Sequence, residues 1–578
     1  MIPLEKLSEE QRAIVDASSA RLCVTACAGS GKTSTAVHRL IRLSSTIPEP
    51  RGRIVLLSFS NVAVDTFREG YQKFRLTGDG VRSASLVEIE TLDAFFSKNL
   101  LHPHAHRLMG ASRPSFLVHG TERYLQGLTC GNGKFPVGVG RFKVKFAAGK
   151  IGFYTSNNGI ESDLPAWAED TVKKLGRIGG YTHELGRYWS YRLLAEEPVL
   201  LRAMARRYPH VIVDEAQDIG SVHRAILELL IEAGVNVSLI GDVNQSIYEF
   251  AGADGSFLRD HSARQGVEAL SITRNRRSVP KIVAVASSLS GRTDMSEREA
   301  VRESHGTYFA AYGKGEEGKL IEAFKLAVAA EELDLSKSAV VCRAAPLAER
   351  LAGKKSDIGK GATARIILAA LRRDRDGDYG GAFESMAGAL VLLLDDPPQN
   401  LVAQLTDPSR VSLMAALRRL LWTFVRDAED GLPLATFKGA PEWHPKLMVR
   451  LKVLLAVLEK EHGLMPTDKL GNNVTKAGLS EAPLLLPADL AKGAAADTAI
   501  RIDTVHKVKG ETLDALLYIA TNAHAEGLIA GTEKEIGRIG YVAATRARDL
   551  FWLGVPAQNL KELKPKLLAH GFQEAGKS

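Results

Sequence analysis

Cysteine is scarce in this chain: 578 residues hold four, Cys23, Cys27, Cys130 and Cys342. Their spacing fits no zinc or iron–sulfur framework, so a metal-stapled fold is excluded. Reduced thiols in a cytoplasmic protein are expected. Long apolar runs are missing too. The longest, Ala389 to Leu394, cannot span a bilayer, which excludes a membrane partner of that kind. The opening Met1-Ile2-Pro3-Leu4-Glu5-Lys6 has no signal-peptide apolar region. There is no internal repeat and no low-complexity tract. Charge is not heavily of one sign: the net value is +8 with 25% charged residues. That balance permits a polyanionic partner without requiring one. With 45% hydrophobic content, a chain of this length is expected to form several ordinary globular domains.

What is present is a phosphate-cradling loop. Leu22-Cys23-Val24-Thr25 is short, apolar and β-branched, and reads as a buried strand. Ala26-Cys27-Ala28-Gly29-Ser30-Gly31-Lys32-Thr33 follows at once, then Ser34 and a helical pattern with Ala36, Val37, Leu40 and Ile41 apolar. In this context backbone N–H groups and a helix N-terminus can close on phosphate oxygens. Gly29 and Gly31 allow the close approach. Lys32 can reach the β- and γ-phosphates, and Thr33 can ligate Mg²⁺. Far downstream His210-Val211-Ile212-Val213 reads as a second strand, ending in Asp214-Glu215 ahead of a helical pattern. Asp214 can hold Mg²⁺ there, and Glu215 can orient or deprotonate an attacking water. The two halves together point to an ATPase or GTPase.

Further segments narrow this. They are Leu7-Ser8-Glu9-Glu10-Gln11, Leu57-Ser58-Phe59-Ser60-Asn61, Thr91-Leu92-Asp93-Ala94-Phe95, Gly241-Asp242-Val243-Asn244-Gln245-Ser246-Ile247-Tyr248, Asn275-Arg276-Arg277-Ser278, Thr504-Val505-His506-Lys507-Val508-Lys509-Gly510 and Thr545-Arg546-Ala547. In this order the chain resembles the superfamily 1 helicases of the UvrD/Rep/PcrA type. The resemblance covers most of residues 1–345 and 497–556. It implies an α/β fold with two RecA-like P-loop motor domains, each carrying a mainly α-helical insertion. The first motor domain (1A) is expected at 1–96 and 208–270, with its insertion (1B) at 97–207. The second (2A) is expected at 271–350 and 497–578, with a reduced helical insertion (2B) at 351–496.

The resemblance also implies residue roles. Gln11 matches an adenine-reading glutamine, and Ala28, Gly29, Ser30, Gly31, Lys32, Thr33 and Ser34 a loop that holds ATP with Mg²⁺. Gln245 matches a γ-phosphate sensor that also faces DNA. Arg277 and Arg546 match two arginines that neutralise charge on the transferred phosphoryl, as arginine fingers do. Arg276 stands where relatives have an adenine-stacking Tyr, Thr512 where they have Glu, and Ala251 where they have a basic residue. Phe59, Tyr248 and Phe250 match aromatics that stack on single-stranded DNA, and Asn61, Thr91 and His506 match backbone-contacting or coupling positions. Basic and aromatic residues interleave in the first insertion, from Arg141 to Arg192. They read either as a nucleic-acid surface or, at helical spacing, as packing.

The activity implied is an ATP-dependent DNA helicase moving 3′ to 5′ on single-stranded DNA and opening tailed duplexes. The alternative is a DNA-sensing ATPase subunit that regulates an OLD-family nuclease, as in anti-phage systems of the Gabija type, which the compact length resembles. The chain ends soon after Arg546 with no nuclease motif, so a fused nuclease is not expected.

Overall fold

A computed structural model describes residues 2–45, 52–77, 86–120, 122–125, 127–131, 136–157, 160–249, 252–352, 361–398, 401–406, 411–468, 470–476, 479–485 and 500–576. The chain divides into two compact units, Met1–Leu333 with Val505–Ser578, and Asp334–Thr504. Phe250 and Ala251 lie outside the described residues.

The larger unit is built on parallel sheets. In the first, the strands run in the order Glu268–Ile272, Leu22–Ala26, Asn236–Gly241, His210–Val213, Ile54–Ser58, Val87–Thr91. All five pairings are parallel. Leu22, Val24, Ile54, Leu56, Ile212 and Ile240 face one apolar cluster, while Cys23, Val55, Leu57, Val211 and Leu239 face another. A strand buried on both faces has this near-continuous apolar character. The phosphate loop leaves the carboxyl end of the second strand in that order, and Asp214-Glu215 leaves the fourth. The crevice outside strand carboxyl ends is where open α/β sheets take ligands. A second parallel set runs Leu513–Ile519, Ala547–Pro556, Gly306–Tyr312, Gln573–Glu574. This is the α/β architecture of RecA-like domains.

Residues 97–207 carry an antiparallel sheet besides the helices expected. Helices Ala168–Arg177, His183–Glu196 and Pro198–Arg207 are present, but so is an antiparallel meander of Lys143–Ala147, Lys150–Asn157 and Ile160–Asp163. Its first turn is made by Ala148 and Gly149, both with positive φ, 49° and 76°, as a tight hairpin turn requires. Val144, Phe146, Ile151 and Phe153 pack into the core at every second position. Lysines between them make the segment read as a basic run until that alternation is counted. Tyr181, Tyr188 and Trp189 are buried in the same core, so packing is the answer for these aromatics.

Among its described residues the smaller unit holds a pair of parallel strands, Ala339–Cys342 and Arg501–Thr504, and a helical cluster of Ala362–Asp374, Tyr379–Val391, Val411–Arg426 and His444–His462. Ile366, Met386, Leu390, Leu421, Trp443 and Leu451 form its apolar centre. Arg373 is buried there, ion-paired to Asp374 at 2.5 Å. It also donates to the carbonyls of Val425, Leu432 and Pro433 at 3.0, 2.6 and 3.1 Å. Arg373→Ala strips Asp374 of its ion pair, leaving it the Ala435 N–H at 2.7 Å, and takes the guanidinium from the Val425 and Leu432 carbonyls, while Pro433 keeps Trp443 Nε1 at 3.2 Å; this is expected to cost about 3 kcal/mol. Urea unfolding followed by tryptophan fluorescence measures this; a loss under about 1 kcal/mol would show the buried pair to be dispensable.

Candidate nucleotide and nucleic-acid site

The phosphate loop ends in helix Lys32–Ser44, whose N-cap is Gly31 with no side-chain cap. Its first backbone N–H groups are thus left for an anion. Gly29 and Gly31 take positive φ, 68° and 82°, as the turn demands. The loop, Glu215 and three arginines surround one cleft of about 420 Å³, whose walls include Gly29 to Thr33, Glu215, Gln245, Arg276, Arg277 and Arg546. Lys32 Nζ stands 3.9 Å from Glu215 Oε2.

The carboxylates are held unequally. Asp214 is buried, and its Oδ1 has no hydrogen-bond partner among the described residues. Burial and then the Glu215 charge push its carboxyl up. Such an atom is suited to a divalent cation; Thr33 lines the cleft, and Asp214 is not among its lining residues. For Glu215, burial opposes the charge, but Lys32 and Lys509 outweigh it and hold the carboxyl below its usual range. Glu215 has a φ of 53°, a conformation costing a non-glycine residue about 1–3 kcal/mol. It is pinned by the amide of Gln217, whose Oε1 accepts from the backbone N–H of Asp242 at 3.0 Å.

The opposite wall comes from later sequence. Arg546 is buried, and its Nη2 donates to Gln245 Oε1 at 2.7 Å. Gln245 Nε2 in turn donates to Asp242 Oδ2 at 2.7 Å. Arg277 Nη1 donates to the Thr545 carbonyl at 2.9 Å. Burial and then Arg546 push Arg277 below the usual guanidinium range, and burial does the same to Arg546. Two adjacent desolvated cations favour a polyanion between them and the loop. Arg276 is on the wall too, ion-paired through Nε to Glu297 at 2.8 Å. Thr512 also lines the cleft.

Three residues expected at the nucleotide, Gln11, Ala28 and Ser34, are not among those lining the cleft. Gln11 is fully buried behind the loop. Its Oε1 accepts from Ser8 N–H at 3.0 Å, and its Nε2 donates to the Ser30 carbonyl at 3.0 Å and to Thr35 Oγ1 at 3.1 Å. It closes a capping box on helix Glu9–Asp16 and braces the loop, and Ile2 takes a place on the cleft wall. Ser34 is also buried, accepting from Ile2 N–H at 2.9 Å.

Sequence reasoning assigned no role to Asn275. Its Nδ2 donates to the Ala28 carbonyl at 2.8 Å, and its Oδ1 accepts from the N–H groups of Arg277 and Ser278, each at 2.8 Å. One side chain thus ties the arginine segment to the phosphate loop. Lys509 was quoted only as part of a motif. Its Nζ bonds Asp218 Oδ2 at 2.5 Å and the Gln245 carbonyl at 3.0 Å, and lies 4.5 Å over the Tyr248 ring.

The residues expected on DNA border two further cavities. Phe59, Asn61 and Thr91 line one of about 360 Å³. Phe59 and Tyr248 line another of about 340 Å³, which also meets Glu215 and Lys509. His506 Nε2 lies 3.2 Å from the Ile247 carbonyl, its ring 5.9 Å from that of Tyr248. Arg187 of the insertion borders both cavities. It is held by Asp93, with Nε and Nη2 bonds of 3.0 and 2.8 Å, while His223 Nε2 meets the same carboxylate at 2.9 Å. Burial works against the Asp93 charge, yet His223 and Arg187 hold its carboxyl well below the usual range. Phe59 is half-buried with its ring edge-on to His223.

Residues 7–129 and 181–264 match the model of the UvrD/REP helicase N-terminal domain. The chain is 26% identical over 309 residues to DNA helicase II of Haemophilus influenzae, covering 50% of this chain and 40% of that protein. It is 24% identical over 307 residues to DNA helicase II of Escherichia coli, covering 50% and 40%. To the ATP-dependent DNA helicase PcrA of Staphylococcus aureus it is 23% identical over 301 residues, covering 49% and 40%. The chain spans about two fifths of the length of the curated relatives it matches. Among the described residues no helix is long and apolar enough to cross a membrane.

Proposed function

We propose, on the premise that this chain carries a UvrD/REP helicase N-terminal domain and is homologous to UvrD- and PcrA-type DNA helicases, that it is an ATP-driven motor. It moves 3′ to 5′ along single-stranded DNA and separates the duplex ahead. The observation that carries this reading is the path of one loop. Gln245 meets Arg546 in the nucleotide cleft, and three residues later Tyr248 lines a cavity with Phe59. A change at the phosphate thus has a direct covalent route to the strand.

In this reading Gly29 to Thr33 cradle the phosphates and Lys32 neutralises the β- and γ-oxygens. Glu215 aligns and deprotonates the attacking water. Arg277 and Arg546 meet the charge that develops on the phosphoryl group, an interaction made only in the transition state. Mg²⁺, held by Thr33 and Asp214, would supply further charge neutralisation on the phosphate oxygens. Phe59 and Tyr248 stack on bases without reading sequence, as a processive motor needs. Asn61, Thr91 and His506 contact the strand's backbone or relay its presence. Four subdomains follow from the same reading, with the motor halves at 1–96 with 208–270 and 271–350 with 497–578.

Duplexes with a 3′ or a 5′ single-stranded tail test this directly. Strand release with ATP from the 3′-tailed duplex alone is the expected result. Release only from 5′ tails would overturn the polarity. ATP turnover indifferent to single-stranded DNA would overturn the motor itself.

A further inference from the structure

The loop from Asn244 to Glu249 leaves the first sheet, yet much of its bonding belongs to the chain beyond residue 505. Asn244 Oδ1 accepts from Thr532 Oγ1 at 2.6 Å. The Gln245 side chain and backbone carbonyl accept from Arg546 and Lys509 at 2.7 and 3.0 Å. The Ser246 carbonyl accepts from Arg538 Nε at 2.6 Å. Glu249 N–H donates to Glu535 Oε1 at 3.1 Å, and its carboxylate is ion-paired to Arg538. Its ties back toward its own sheet are Ser246 Oγ, which donates to the Gln217 carbonyl at 3.1 Å, and the bonds of Asn244 N–H and Gln245 Nε2 to the Asp242 carboxylate at 3.1 and 2.7 Å.

Arg538 is the centre of this attachment. It is buried, and besides Ser246 and Glu249 it donates through Nη1 to the carbonyls of Thr532 and Glu533 at 3.1 and 2.7 Å. It stands in helix Glu535–Ala544, two residues beyond which comes Arg546. Arg538 is thus in the helix and Arg546 just past its carboxyl end, eight residues on. Arg546 grips the loop at its nucleotide end, and Arg538 grips it at the end that carries Tyr248.

We infer that Arg538 is a positioning residue that transmits the nucleotide state of the cleft to Tyr248. It rests on the motor reading above. When phosphate draws Arg546 away from Gln245, the contact at Gln245 is given up. The fork at Arg538 is not, so the Tyr248 end of the loop moves with the helix. A planar guanidinium is needed, because one side chain must hold three carbonyls and a carboxylate in fixed directions.

The test compares wild type with Arg538→Gln, Arg538→Lys and Glu249→Ala, the last removing a half-exposed partner that the fold does not need. For each, ATP turnover is measured with and without single-stranded DNA, together with DNA affinity in the absence of nucleotide and the melting temperature. The expected result is at least a tenfold loss of DNA stimulation in both Arg538 variants and about threefold in Glu249→Ala. DNA-free turnover and nucleotide-free DNA affinity stay within about twofold. Failure of Lys to rescue separates a fork from a simple charge. Undiminished stimulation in Arg538→Gln and Glu249→Ala, with wild type stimulated, would overturn this inference alone. So would equal losses of basal and stimulated turnover at unchanged melting temperature. Wild-type turnover indifferent to DNA would overturn the motor reading and this inference with it.

Discussion

Arg546→Ala is expected to lower kcat for ATP hydrolysis by about 10³-fold or more, the range seen when an arginine finger is removed. The side chain is buried, and the structure gives it a neutral partner, Gln245 Oε1, at 2.7 Å. Its charge is disfavoured by burial, with Glu215 and Asp242 only partly offsetting that. A developing negative charge on the phosphoryl group is therefore worth more to this residue than to an exposed one. Because that charge appears in the transition state, nucleotide affinity should change far less than kcat. Arg546→Lys should not restore activity, since a point charge on a flexible stem lacks the planar fork with which a guanidinium meets phosphate oxygens. Single-turnover hydrolysis with a parallel nucleotide-binding titration separates the two quantities. A kcat within tenfold of wild type would remove Arg546 from the chemistry.

Glu215→Gln is expected to lower kcat by about 10²–10⁴-fold, the usual contribution of a positioned base. The substitution keeps the shape and removes the charge. Glu215 is held ionised by Lys32 and Lys509, and its left-handed backbone, φ 53°, aims the carboxylate into the cleft. That geometry is over-determined by Gln217, so the amide variant should keep its fold and bind ATP at least as well as wild type. A trapped, DNA-bound ATP complex is the expected state, read by filter binding of labelled nucleotide. Loss of nucleotide binding in this variant would point instead to a role in holding the phosphates.

The first sheet and its phosphate loop were legible in the sequence, and the reasons are local. The strands Leu22–Ala26 and His210–Val213 announced themselves as short β-branched runs ending in residues with chemistry of their own. Those signals need only a window of ten residues. The meander from Lys143 to Asp163 did not, because Lys143, Lys145 and Lys150 make its opening look like a basic run. Gln11 was assigned to the nucleotide from its motif. In the structure its amide also bonds Ser8, Ser30 and Thr35; the Ser8 contact is a capping box that the Ser-x-x-Gln spacing offers, but no local pattern encodes the other two. Asn275, Lys509, Asp93 and Arg538 escaped for the same reason. Each works on partners scores or hundreds of residues away, and a polar side chain in a loop does not show at that distance whether it is solvated or buried. The aromatic-basic stretch of the insertion divided in two. Tyr188 and Trp189 pack in the core, and Arg187 alone among their neighbours reaches both cavities beside Phe59.

The seam between the phosphate loop and the arginine segment has a genetic consequence. Cys27 N–H bonds the Ile272 carbonyl at 2.9 Å and Arg276 N–H bonds the Gly29 carbonyl at 3.0 Å. A methyl group on Gly29 would lie 2.5 Å from the Arg277 Cβ. Any allele that gives residue 29 a side chain thus displaces an arginine more than two hundred positions later. Its phenotype would mimic loss of Arg277 as closely as damage to the loop, and suppressors would arise in the later segment.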